Sequence, residues 1–173
     1  MKFCFVIFVN FLLCLFILFR ISVSEANTDV HFSGRLVAEP CKIAMDSQDQ
    51  NVDFGSIAAR QFINNDLTLP KSFKIWLTDC DISIGQSVTF TFTGDEDPAQ
   101  PGFFSVTGDA KGIALLLTDD EGNKINPGKV MTARSLVDSD NIFTFQAAVF
   151  GAEFNAIRAG NFSSTVMFSL EYK

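Results

Sequence analysis

The chain has 173 residues, 20 of them Phe against one Tyr and one Trp, and carries a formal net charge of −7 with 47% hydrophobic residues. That composition supports one domain with a sizeable core and argues against disorder. The acidic balance excludes the neutralisation of a phosphate run that nucleic-acid binding needs, and a single His leaves little material for metal or imidazole chemistry.

In chain order, Met1 to Ala26 opens on Lys2, runs apolar from Phe3 to Phe19 with Asn10 as its one break, and closes on Ser24-Glu25-Ala26. A basic start, an apolar middle and small residues at −3 and −1 predict a secretory leader cleaved after Ala26. The competing reading is a membrane anchor, since the apolar run is near the lower length for a bilayer span. Removing residues 1–26 takes away Lys2, Arg20 and Glu25 and leaves an exported chain of 147 residues with a net charge of −8. Export changes the reading of the cysteines. Cys4 and Cys14 leave with the leader, and the remaining pair, Cys41 and Cys80, is expected to form a structural disulfide in an oxidising compartment.

The mature start, residues 27–40, alternates: Val30, Phe32, Gly34 and Leu36 share one face, with His31, Ser33 and Arg35 on the other. Residues 46–69 are not legible beyond a possible strand at Val52–Phe54. Phe73, Ile75 and Leu77 alternate with Lys74, Trp76 and Thr78 up to Cys80, and Val88, Phe90 and Phe92 alternate with threonines. Gly94–Gly102 is a loop. Short strands are predicted over Phe103–Thr107 and Ile113–Thr118, the latter closed by the hairpin signal Asp119-Asp120-Glu121-Gly122-Asn123. A weaker strand over Lys129–Val137 is followed by a clear one through Phe143, Phe145, Ala147 and Val149. The chain closes on Gly160 to Lys173, where Phe162, Ser164, Val166, Phe168, Leu170 and Tyr172 face one side. Short strands with turn residues between them, and no convincing amphipathic helix, predict an all-β sandwich.

Three features of the last stretch, a Gly fourteen residues from the end, alternating apolar residues and a penultimate Tyr, resemble the carboxy-terminal motif of pilus subunits assembled by the chaperone/usher route. The stretches V-H-F-S-G-R-L-V-A-E-P-C and F-K-I-W-L-T-D-C are similar to the amino-terminal extension and second-cysteine strand of the same family. The resemblance implies an incomplete immunoglobulin-like β-sandwich lacking its last strand, residues 41–173, preceded by a donor-strand extension over 27–40. Val30, Phe32, Gly34 and Leu36 would be the donor face. Gly160, Val166, Phe168, Leu170 and Tyr172 would belong to the acceptor strand, with the carboxylate of Lys173 held by basic chaperone side chains. The implied partners are a periplasmic chaperone, an outer-membrane usher and neighbouring subunits in a linear polymer on the cell surface, joined by strand addition.

No catalytic constellation stands against this reading. The clusters Asp79/Asp81, Asp95-Glu96-Asp97 and Asp119-Asp120-Glu121 lack calcium-loop spacing and read as solvated turns, and His31 lies on a polar strand face. The expectation is a structural, non-enzymatic protein without cofactor or metal. The alternative is a self-contained exported sugar- or ligand-binding sandwich.

Overall fold

The structure, a computed structural model, describes residues 28–36, 39–151 and 153–173. The leader predicted over residues 1–26, with Cys4 and Cys14, lies outside the described residues. The chain forms two units, residues 1–36 and 37–173. In the first, residues 28–36 form no helix or ladder, and all of them are exposed.

The second unit is built from strands β1 (Lys42–Ile43), β2 (Lys71–Cys80), β3 (Ser87–Thr93), β4 (Thr107–Gly108), β5 (Ala114–Asp119), β6 (Lys124–Ile125), β7 (Arg134–Ser135), β8 (Ser139–Phe150), β9 (Phe162–Ser163) and β10 (Met167–Tyr172), with one short helix, α1 (Met45–Gln48). One sheet has the order β1-β2-β8-β5-β6, a second the order β10-β3-β7, and β4 pairs with β9. All ladders are antiparallel, so each strand of the sandwich presents alternate residues to the interior.

The two sheets meet through phenylalanines. Phe90 on β3 stacks edge-on against Phe143 and Phe145 of β8 at 4.9 and 5.3 Å, Phe92 meets Phe145 at 5.0 Å, and Phe73 on β2 stacks on Phe145 at 5.6 Å. Edge-to-face rings add about 0.5–1.5 kcal/mol per pair beyond the burial itself. Ile75, Leu77, Val88, Leu115 and Leu117 complete this core. This is the β-sandwich that the alternating strands predict, in the immunoglobulin-like form that the family resemblance implies. Cys41 and Cys80 are joined, fastening the residue before β1 to the last residue of β2.

The margins of the sandwich differ. Between β6 and β7 the chain crosses from one sheet to the other and runs along β3, with Gly128 N–H donating to Phe92 O at 2.7 Å and Met131 N–H to Phe90 O at 2.8 Å. Arg134 of β7 is tied to Asp120 and lies 3.5 Å from the Asp119 carboxylate on the facing hairpin. That margin is sealed. The opposite margin, between β1 and β10, is not.

Several expectations are corrected here. Phe103–Thr107 is not a strand: Phe104 makes single bridges to Glu96 and Leu115, and regular pairing begins only at Thr107. The region Lys129–Val137 is not one strand: it lies along β3 but pairs with it only through the bridge at Val130, where Met131 N–H reaches Phe90 O, and through the two residues of β7. The carboxy-terminal alternation is divided into β9 and β10 instead of one run. Asp119 is not solvated. It is 5% exposed, and its carboxylate accepts from the N–H groups of Glu121 and Asn123 and from the Asn123 side chain at 2.8–3.0 Å. Removing it in Asp119→Ala leaves the backbone N–H groups of Glu121 and Asn123 without their acceptor and takes from Arg134 one of its two carboxylates, Asp120 remaining. We expect a loss of about 2–3 kcal/mol, read from the urea midpoint at pH 7.

Arg134 holds the carboxyl of Asp120 below the usual carboxylate range, mainly through their hydrogen bond. The sign follows from linkage. A depressed folded-state value gives stability that is complete above the ordinary carboxylate pKa of about 3.9 and lost as pH falls through the depressed value. Asp120 is half exposed, so the effect is small. Arg134→Met should therefore lessen the loss of stability between pH 4 and pH 2, a difference that paired urea titrations would detect.

Candidate functional site

The unsealed margin is a groove of about 1040 Å³. One wall is the stretch from Ser47 to Gly55, the other runs from Gly160 to Phe168, and the floor is made by Phe73, Phe92, Leu115, Leu117 and Ala147. Each floor residue is an inward position of its strand, and Phe92, Leu115, Leu117 and Ala147 are buried, so the groove is apolar at its base because it bottoms on the core of the sandwich.

β10 forms one wall because its ladder runs on one side only. Met167 to Tyr172 pair with Thr93 to Val88 of β3, and no described strand pairs with the other edge. Along it Val166, Phe168, Leu170 and Tyr172 are half-buried against the core, while Met167, Ser169 and Glu171 are exposed. Phe168 leans on Phe92 at 6.2 Å between ring centres. A strand with an apolar face and an unpaired backbone edge is a template for another strand. The facing wall has the same character. Val52 and Phe54 are half-buried and Asn51 and Asp53 exposed, a strand-like alternation that carries no ladder among the described residues. The possible strand at Val52–Phe54 is thus an extended segment without a pairing partner.

The predicted acceptor residues divide. Gly160, Val166 and Phe168 line the groove; Leu170, Tyr172 and Lys173 continue the same edge beyond it. Gly160 lies outside both β9 and β10, in the turn before β9. There Asn161 O accepts from Asp109 and Ala110 N–H, and a Cβ on Gly160 would stand 2.6 Å from Ala110 N and 2.7 Å from the carbonyl carbon of Asp109. Those are backbone atoms with no freedom to retreat. Gly160→Val should part the β4–β9 pair and cost about 1–3 kcal/mol in urea unfolding.

Tyr172 has its phenol pushed up, first by burial and then by the charge of Glu39. The oxygen of Lys173 expected to meet chaperone cations accepts from Gln86 and Ser87 N–H at 2.8 and 3.0 Å, so a cation would share it or take the second carboxylate oxygen. In the first unit Val30, Phe32 and Leu36 are 69%, 93% and 100% exposed, and no atom lies within 4 Å of a Cβ built on Gly34. Four apolar or side-chain-free positions at spacing two therefore stand in water. The floor residues and the wall from Ser47 to Gly55 carry no local signal of a shared gap. They come from segments far apart in sequence that only the sheet order brings together.

Comparisons with known proteins bear on the same two features. The fimbrial protein family matches residues 30–173. The Fimbria A protein of Serratia marcescens is 31% identical over 153 residues, 88% of each chain, and the major MR/P fimbria protein of Proteus mirabilis is 29% identical over 154 residues, again 88% of each. Among solved structures, the P pilus rod subunit PapA superposes with a TM-score of 0.70 at 25% identity, covering 78% of this chain and all of that one. A subunit of a chaperone-usher pilus gives 0.69 at 26% identity, covering 88% and 99%.

Proposed function

The chain belongs to the fimbrial protein family and is a structural subunit of a pilus, and we propose that it enters its fibre by strand exchange. The observation that carries this is the pairing of opposites within one chain. A groove with an unpaired β10 edge and an apolar floor occurs together with an exposed extension whose apolar positions repeat at strand spacing.

The extension of one subunit, Val30 to Leu36, lies along β10 of the next, its backbone completing the ladder and its alternate side chains entering the floor. Val30, Phe32 and Leu36, each contributing about 1.5–3 kcal/mol when buried, give about 5–9 kcal/mol before the ladder is counted. Ordering the extension subtracts from this. Before assembly, a periplasmic chaperone occupies the same edge and an outer-membrane usher hands the subunit on, which keeps the unpaired β10 edge from aggregating during export to the cell surface. The role is that of a shaft or adaptor subunit, structural and without catalysis.

Production in the periplasm with and without a cognate chaperone tests the reading. The subunit is expected to be degraded or self-polymerised alone and soluble as a one-to-one complex with the chaperone. A synthetic peptide covering residues 28–40 should then displace the chaperone. A stable monomer that ignores the peptide would overturn the proposal in favour of a self-contained binding module.

A further inference from the structure

One corner of the domain holds both ends of the assembly machinery. Pro40 O, at the root of the extension, accepts from Asp81 N–H at 2.8 Å, and Cys41 beside it is bonded to Cys80. A Cβ on Gly85 would stand 2.7 Å from Pro40 Cγ, so Pro40 rests directly on the Gly85 backbone. Two residues further, Gln86 and Ser87 N–H bind Lys173 O, and Lys173 N–H returns a bond to Ser87 O at 2.9 Å. The loop from Asp81 to Ser87 thus connects the root of the extension with the last residue after β10.

The covalent route from Cys41 to this loop through the disulfide bypasses residues 42–79. The first part of that stretch has little to resist a pull. β1 makes two pairs, Lys42↔Thr78 and Ile43↔Leu77; 44–65 holds the four-residue α1, the 3-10 turn Ala59–Ile63 with its buried Phe62 and single bonds such as Ala44 N–H to Trp76 O, and Asp66 to Thr68 is bridged to Val149 to Gly151. Pulled from Cys41 without the bridge, β1 would unzip pair by pair, and the next segment to come away would be Ser47 to Gly55, the groove wall.

We propose that the Cys41–Cys80 bond is a tension bypass that keeps the groove wall out of the line of force. Pull on a subunit's own extension passes through Cys80 and the Asp81–Ser87 loop to β3 and β10, so a loaded subunit keeps hold of its neighbour's strand. This rests on the strand-exchange reading for the source of the tension.

The test is single-molecule stretching of the mature chain, with handles before Thr28 and after Lys173 and a fluorescent 28–40 peptide in the groove. The disulfide-bonded chain should keep the peptide until the whole domain yields. The Cys41→Ala/Cys80→Ala chain should yield earlier, at lower force, lengthen by roughly 100 Å as the 29 residues from Lys42 to Pro70 extend, and lose the peptide in that step. If the double variant does not fold, phosphine reduction of folded chains held at low load supplies the comparison. Equal first-yield force and length with and without the bond would overturn the bypass, as would early peptide loss from the bonded chain. Failure of the unloaded bonded chain to take the peptide would instead count against strand exchange, and the length comparison would still decide the bypass.

Discussion

Gly34→Arg should abolish fibre growth and leave the groove of the same chain competent. In the free chain residue 34 has no neighbour within 4 Å, so the substitution costs the unassembled subunit nothing in sterics. The penalty arises on insertion. On the strand-exchange proposal the backbone between Phe32 and Leu36 would run over the apolar base of a neighbour's groove, and a guanidinium there would be a buried charge without a partner, worth several kcal/mol against binding. A loss of about 4 kcal/mol is roughly a thousandfold in affinity, enough to offset much of what Val30, Phe32 and Leu36 contribute. The mutant peptide should fail to displace chaperone, mutant subunits should form no fibres by electron microscopy, and the same subunits should still accept wild-type peptide. Ser33→Arg, on the opposite strand face, is the control and should polymerise normally. Fibres from Gly34→Arg subunits would refute the donor assignment.

Phe90→Ala separates folding from assembly. Phe90 is fully buried and touches rings of both sheets, Phe92 beside it and Phe143 and Phe145 across from it. Emptying this position should cost about 3–5 kcal/mol, because three rings around it cannot collapse into the space without breaking their own contacts. Domains of this kind have about 5–15 kcal/mol in total, so the variant should lose much of its folded population at 37 °C. Phe32→Ala, the same chemical change at a side chain standing in water, should leave the urea midpoint of the unassembled subunit unchanged and weaken only insertion. A drop below about 1 kcal/mol for Phe90→Ala, measured by urea unfolding with peptide bound, would mean that the core is not organised around that ring.

The strands that the sequence discloses are those with one face in the core and one outside. Phe73 to Cys80, Val88 to Thr93 and Phe143 to Val149 alternate because the sandwich interior is apolar, and each is found within a few residues of its expected limits. Elements that fail are those set by distant partners. Phe103 looks like a strand residue, yet it stacks outward on Phe150 at 4.3 Å under the Lys124 ammonium, while the neighbouring Phe104 alone turns inward. Asp119 reads as one more turn carboxylate until the fold brings Asn123 and Arg134 onto it. The stretch 46–69 is illegible in the sequence for the same reason: Thr68, for instance, is held by a bond from Val149 N–H, 81 residues away. In the groove, the β10 wall shows in the sequence as period two. The floor does not, since nothing in Phe73, Leu115 or Ala147 marks them as neighbours across a gap.

The sealed margin described above limits the shape of whatever these subunits build. With the passage from β6 to β7 laid along β3 and Arg134 bound to the facing hairpin, the groove beside β10 is the margin left open among the described residues, and on the strand-exchange proposal the exposed extension fills that margin in a neighbour. On that proposal each subunit would take one strand and give one, so growth would yield an unbranched thread whose two ends are chemically unlike.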